Sequence, residues 1–120
     1  MSIVKTLFVG MVQGEIMKAG IPLATIEEAL EIPADTPFPI ARAVGLVSQF
    51  GVSGNQMLGV AVSNTLSNVR AYAAQQGTGY ALMLFNLDES NAATITVGVA
   101  NAPASSWLVD MTTYDKALYD

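Results

Sequence analysis

Two short runs of hydrophobic residues flank a polar tetrapeptide in the C-terminal half of the chain. The first, Tyr80–Leu87, is apolar at almost every position, which is typical of a strand buried on both faces. The second, Ala93–Val99, places apolar residues at every other position, and this favours a strand with one face in water. The segment Asp88-Glu89-Ser90-Asn91 favours a turn, because such side chains bond to their own backbone. The pattern predicts a hairpin, with Tyr80–Leu87 as the central strand of a sheet.

Helical patterns are confined to the first 51 residues. Ile3–Ala19 predicts a helix that ends at Gly20 and has apolar side chains nearly all round. Thr25-Ile-Glu-Glu28 has the form of a capping box, so a short helix to about Glu31 is expected. Ile40–Phe50 is amphipathic and is followed by a terminating glycine.

Further short strands are predicted at Met57–Val62, Val69–Ala73 and Trp107–Met111, separated by turn-forming residues. Two to three N-terminal helices followed by about five locally connected strands describe an α+β fold with an antiparallel sheet, or partial β-sandwich. At 120 residues the chain is expected to form one domain, with residues 1–51 helical and residues 52–120 antiparallel β.

Composition changes this picture in one respect, because the chain is unusually apolar for a small domain. Hydrophobic residues make up 52% and charged residues 12%, with a mean hydropathy of +0.43. No run approaches the roughly 18 apolar residues of a spanning helix, so no membrane segment is expected. We therefore expect part of the apolar surface to pack against something outside the chain.

The charge pattern and the missing residue types exclude several function classes. The net charge is −5 and the five cations are scattered, so nucleic-acid binding is not expected. Histidine and cysteine are absent, which excludes disulfides, Cys/His metal sites and imidazole-based triads. No phosphate-binding or nucleotide-binding motif is present, so no metal and no cofactor are predicted. Polar residues from Gln13 onward break the initial apolar run, so a signal peptide is not predicted and the compartment stays open.

Residues able to perform chemistry are few and isolated. Glu15 has no second acid at a fixed spacing, and the cluster Glu27, Glu28 and Glu31 is more typical of a solvated helix face. Ser53 has no base to activate it. No catalytic residue is therefore predicted.

Aromatic residues offer the weak candidates for ligand binding. Tyr80 and Trp107 are more typical of a sheet core than of a binding platform. Three tyrosines remain as candidates for a ligand or carbohydrate surface: Tyr72, Tyr114 and Tyr119.

Several segments resemble consecutive pieces of one family. They are Phe8–Thr25, Thr36–Ala43 with Ser48–Gly51, and Val69–Ala74 with Ala81–Asp88. Together they are similar to the C-terminal end of bacterial glycoside hydrolases that join a (β/α)8 barrel to a β-sandwich. The resemblance implies that the first helix corresponds to a late barrel helix and the strands to the start of the sandwich. The acidic stretch after Thr25 departs from the family pattern, where a last barrel strand would be expected.

The resemblance also implies what this chain lacks. The family's two catalytic carboxylates lie on earlier barrel strands, and no acid here matches either one. The expected function is therefore a non-catalytic structural or interaction module, from a family that is usually secreted or periplasmic. Two alternatives stay open: a small enzyme, or a carbohydrate- or ligand-binding protein, with a carboxylate and tyrosine site formed between subunits.

Self-association is the last expectation from the sequence. A small domain cannot readily enclose every face of an apolar terminal helix, and Phe8, Val12 and Ile16 lie along one side of it. Pairing this side with a second copy would bury it, and a two-fold dimer is the commonest form. The edges of the predicted sheet add unpaired backbone groups with few charges to protect them.

Overall fold

The computed structural model describes residues 3–21, 39–102 and 106–115. Within these residues the chain has an α+β fold, with two helices and a three-stranded antiparallel sheet. The expected helix after Thr25 and the ligand-binding candidate Tyr119 lie outside the described residues.

Helix α1 covers Ile3–Lys18 and confirms the first predicted helix. It ends as predicted at Gly20, whose φ of 70° is readily adopted only without a Cβ atom. The amide of Ile21 donates to the carbonyl of Ile16 at 3.1 Å, and the amide of Gly20 donates to that of Met17 at 3.0 Å. These two bonds form a Schellman cap and satisfy carbonyls that the helix end leaves free.

Helix α2 covers Pro39–Phe50 and confirms the predicted amphipathic helix. Proline suits its first position because the amide there has no helical partner. Its buried side chains are Ala43, Val47 and Phe50, spaced four and three residues apart on one face. Helix α2 packs against α1, and together they form the helical layer.

The sheet consists of β1 (Gln56–Leu58), β2 (Val69–Gln76) and β3 (Gly79–Asn86), in the spatial order β1-β2-β3. A two-residue turn at Gly77 and Thr78 joins β2 to β3, and the φ of Gly77 is 57°. Glycine at the first position, with positive φ, is the arrangement of a type II′ hairpin turn. A short 3-10 helix at Asn64–Leu66 precedes β2, where a polar turn was predicted.

The predicted central strand is in fact an edge strand. In the described residues β2 has a neighbour on each side, whereas β3 pairs with β2 alone. Apolar residues at nearly every position of β3 show that both of its faces are apolar. They do not show how many strands pair with it. One face of β3 packs on the helical layer, and the other is half-open.

The structure shows three of the five predicted strands. Residues Ala93–Val99 form no strand, although the preceding turn forms through the side chain of Asp88. The side-chain amide of Asn86 donates to the carbonyl of Asn91 at 2.8 Å, so the chain after the turn bonds to a side chain instead of to the backbone of β3. Residues Trp107–Met111 also form no strand, and none of the three described strands pairs with them through backbone hydrogen bonds.

Candidate functional site

Helix α1 turns small and polar side chains toward the rest of the protein. Thr6 is buried, and Gly10 and Gly14 face aromatic rings of the sheet. A Cβ atom on Gly10 would lie 2.7 Å from the Phe85 ring, and one on Gly14 would lie 2.7 Å from the Tyr72 ring. The two glycines are four residues apart and so share one face of the helix, which lets it approach both rings closely.

The opposite side of α1, here called the outer helix face, consists of Val4, Phe8, Val12 and Ile16. The side chain of Phe8 is 64% exposed, and Val4 and Val12 are also exposed. A shallow groove of about 430 Å³ runs along this face; its lining residues are Phe8, Met11, Val12, Glu15, Ile16, Ala19 and Ile21. The helix therefore presents an apolar surface to solvent.

Glu15 is the single carboxylate among the residues that line this groove. Its Oε1 accepts a hydrogen bond from the Tyr72 hydroxyl at 2.9 Å, and its Oε2 lies 3.9 Å from Nζ of Lys18. Burial of the Tyr72 hydroxyl, followed by its hydrogen bond to Glu15, raises the pKa of Tyr72 to about 12. The carboxylate is thus held by a structural hydrogen bond and has no second acid beside it in the groove to make an acid–base pair.

A second apolar surface lies on the side of the sheet away from the helices. Strand residues alternate between faces, and Tyr72, Ala74, Met83 and Phe85 belong to the core on the helical side. The alternate positions form the outer sheet face, defined as Leu58, Ala71, Ala73, Tyr80, Leu82 and Leu84. Leu82 and Leu84 are each 42% exposed. Apart from the polar side chains of Gln56, Gln75 and Asn86 at its ends, this face is apolar, and the described residues cover it incompletely.

Trp107 lies at one end of the outer sheet face. Its ring contacts the ring of Tyr80 at a centroid distance of 5.5 Å, with 61° between the two planes. Tyr80 is 38% exposed and Trp107 is 44% exposed, so the prediction that both rings lie in the core was wrong. A sugar-binding platform needs coplanar rings, and these two rings are steeply inclined.

The three tyrosines predicted as ligand-binding candidates do not form one surface. Tyr72 is 4% exposed and packs between α1 and the Phe85 ring, so it offers no free face to a ligand. Tyr114 is half-buried, and its hydroxyl is buried without a hydrogen-bond partner in the part of the chain that the structure describes. Tyr119 lies beyond the described residues.

The described ranges contain neither a cluster of metal-ligating side chains nor a membrane-spanning helix. No group of three or more acidic, histidine or cysteine side chains there could hold a metal ion. No helix in those ranges is long and apolar enough to cross a membrane.

Comparison of the chain with models of known protein families, with curated proteins and with solved structures finds no match. The assignment of a function therefore depends on the surfaces described above.

The sequence reasoning missed the roles of Gly10 and Gly14, although their spacing was visible. Small residues four apart on an otherwise apolar helix mark a side that something approaches closely. The sequence reasoning also missed the open outer sheet face. The apolar run Tyr80–Leu87 predicts a strand buried on both faces, whereas Tyr80, Leu82 and Leu84 on its outer side are exposed.

Proposed function

We propose that this chain is a non-catalytic structural or interaction module, and that copies of it associate through surfaces left uncovered in one copy. The main support is the number of exposed apolar side chains compared with the number of buried ones in the described residues. Sixteen large ones are exposed, whereas six apolar side chains are buried. Six of the sixteen form two groups: Val4, Phe8 and Val12 on the outer helix face, and Tyr80, Leu82 and Leu84 on the outer sheet face. Grouped exposed apolar residues are typical of interaction sites.

The free energies involved favour docking. Full burial of a large apolar side chain is worth roughly 1.5–3 kcal/mol relative to full exposure. Residues such as Leu82, Leu84 and Trp107 are about half-exposed, so each would gain on the order of 1 kcal/mol from a partner that covered it. Three such residues would together contribute roughly 3 kcal/mol, a substantial fraction of the roughly 5–15 kcal/mol net stability of a whole domain.

The resemblance to the sandwich end of a glycoside hydrolase agrees with the positions of these surfaces. In such a protein a second sheet would cover the outer sheet face, and neighbouring barrel helices would cover the outer helix face. We infer an origin of this kind from the residues that resemble the family. The proposal of an interaction module does not depend on it, because the apolar surfaces are observed directly.

The alternatives left open by the sequence gain no support from the described residues. An enzyme of the glycosidase type needs two carboxylates roughly 5–10 Å apart in a cleft, and the groove on α1 is lined by Glu15 alone among the acids. A carbohydrate-binding surface needs coplanar exposed rings, and Tyr80 and Trp107 are inclined by 61°.

Two measurements on the intact chain test the proposal. Sedimentation equilibrium at micromolar concentration is expected to give a mass above the 12.6 kDa of one chain, and a panel of aryl glycosides is expected to remain unhydrolysed. A chain that stays monomeric at every soluble concentration would contradict the association. Hydrolysis that is lost in Glu15→Gln would contradict the non-catalytic role.

A further inference from the structure

The outer edge of β3 is long, apolar and uncharged. Gly79–Asn86 contains eight residues with no charged residue and no proline, and its pairing with β2 runs without a bulge. No backbone hydrogen bond among the described residues reaches the side of β3 away from β2, here called the β3 edge. Edge strands are normally kept from pairing by charges, proline, bulges or shortness. The opposite edge of the sheet is protected by its shortness, since β1 is three residues long.

We propose that the β3 edge pairs with the β3 edge of a second copy, antiparallel and around a two-fold axis at Leu82. The inference rests on the proposed function, because it names the partner and the contact of the same module. Pairing would join two three-stranded sheets into one six-stranded sheet and would satisfy the open backbone groups of both strands.

The sequence of β3 is complementary to itself in this register. When Leu82 faces Leu82 of the second copy, Tyr80 faces Leu84 of that copy on the outer sheet face. On the helical side, Met83 faces Ala81 of the second copy and Phe85 faces Gly79, so each large side chain meets a small one. A shift that centres the pair on Met83 would place Tyr80 opposite the polar Asn86 instead.

The outer helix face is the rival contact, and its charges make it the weaker one. Glu15 lines its groove, and Lys18 lies 3.9 Å from that carboxylate. Both side chains are more than half exposed, so a second copy laid on this face would remove them from water. Desolvating an ion pair offsets much of its own attraction, whereas β3 contains no charge to desolvate.

Single-cysteine variants distinguish the two contacts cleanly, because the chain has no cysteine of its own. Directly opposed residues in an antiparallel pair have Cα atoms about 4.5 or 5.5 Å apart, and both distances suit a disulfide. Leu82→Cys should therefore form a dimer of twice 12.6 kDa under mild oxidation. Val12→Cys reports the outer helix face, and Leu58→Cys is the matched control on the outer sheet face far from the β3 edge.

We expect Leu82→Cys to cross-link at least about a hundredfold faster than either control, because held thiols meet at about millimolar effective concentration. Equal rates at the three positions, or faster linkage at Val12, would overturn the inference. If wild type associates but Leu82→Cys does not cross-link, this inference fails while the proposed function stands. If wild type is strictly monomeric, both fail.

A second variant, without an added cysteine, tests the same contact independently of disulfide formation. Leu82→Lys places a charge at the centre of the β3 edge, on a side chain that is already partly exposed and so leaves the fold intact. The weight-average mass should fall to that of one chain, while Val97→Lys, a matched exposed position outside the strands, should leave it unchanged. A Leu82→Lys protein with folded circular dichroism and an unaltered mass would overturn the inference.

Discussion

The ring of Tyr72 lies directly against Gly14, so closely that a single added carbon on the glycine would come within 2.7 Å of two ring atoms. The same ring contacts Phe85 edge-on at 5.9 Å, and Phe85 in turn lies against Gly10. Two aromatic side chains from neighbouring strands thus occupy spaces left by two glycines on α1. This packing sets the distance between the helix and the sheet.

Gly14→Ala should destabilise the protein by about 1–3 kcal/mol, because the Tyr72 ring must move to admit the methyl group. The better helix propensity of alanine, worth about 1 kcal/mol, offsets only part of this. Gly45→Ala is the matched control, since it lies in α2 with nothing within 4 Å of the added carbon. It should stabilise by roughly 0.5–1 kcal/mol. Urea denaturation measures both, and equal effects at the two sites would contradict the packing argument.

The hydroxyl of Tyr72 predicts a loss of stability in alkali. Its pKa rises from 10.0 in the unfolded chain to about 12 in the folded protein. The protonated Tyr72 hydroxyl therefore makes its full contribution to the free energy of unfolding below pH 10, and this contribution is lost as the pH rises toward 12. Tyr72→Phe should be less stable than wild type by about 1 kcal/mol at pH 7 because it loses the hydrogen bond to Glu15.

Denaturation at pH 8 and at pH 11 checks this prediction. The difference in the free energy of unfolding between wild type and Tyr72→Phe should become smaller at the higher pH, since only wild type has the Tyr72 hydroxyl to titrate. The other tyrosines are common to both proteins and cancel in the difference. A gap that stays constant between the two pH values would show that Tyr72 does not titrate as the structure requires.

Elements whose boundaries depend on local chemistry were predictable from the sequence. The end of α1 at Gly20 follows from the need for a residue that accepts positive φ, and the buried face of α2 follows from its spacing of Ala43, Val47 and Phe50. The turn at Asp88 follows from side-chain bonding to the backbone. Each of these needs information from only a few neighbouring residues.

Features that depend on distant residues were not predictable in the same way. An all-round apolar helix has no preferred side, so the sequence pattern of α1 could not show that Gly14 faces inward and Phe8 outward. Likewise, apolar residues on both faces of β3 fit a central strand and an edge strand equally well. The alternation in Ala93–Val99 indicated a strand, but a strand also needs a neighbour, which alternation does not supply.

The carboxylate of Asp88 predicts an acid-sensitive turn. Its Oδ1 accepts bonds from the amides of Ser90 and Asn91, each at 2.9 Å, and Oδ2 accepts one from the side chain of Asn68 at 3.2 Å. The backbone bond from Ser90, followed by the side-chain bond from Asn91, lowers the pKa of Asp88 below its ordinary 3.8. The contribution of this charge is therefore present above pH 3.8 and is lost as the pH falls through the lowered pKa.

An NMR titration of the backbone amides measures this effect. The signals of Ser90 and Asn91 should shift together at a midpoint below pH 3.8, because both amides donate to the same carboxylate oxygen. In Asp88→Asn the amide oxygen can still accept, but there is no charge to titrate, so the shared transition should disappear. A transition that persists in this variant would assign it to another group.

Amide hydrogen exchange gives the sharpest prediction for the sheet. Within β2, the amides of Ala73–Gln75 are flanked by strands on both sides and should exchange most slowly, in place of those of the predicted central strand β3. In β3, alternate amides point toward β2 and toward the β3 edge. Those at the edge should exchange rapidly in dilute protein and become protected as the concentration rises, because a second copy then accepts their hydrogen bonds. In Leu82→Lys they should stay unprotected at every concentration. Edge amides of wild type that exchange at one rate across the association range would place the contact between copies elsewhere than β3.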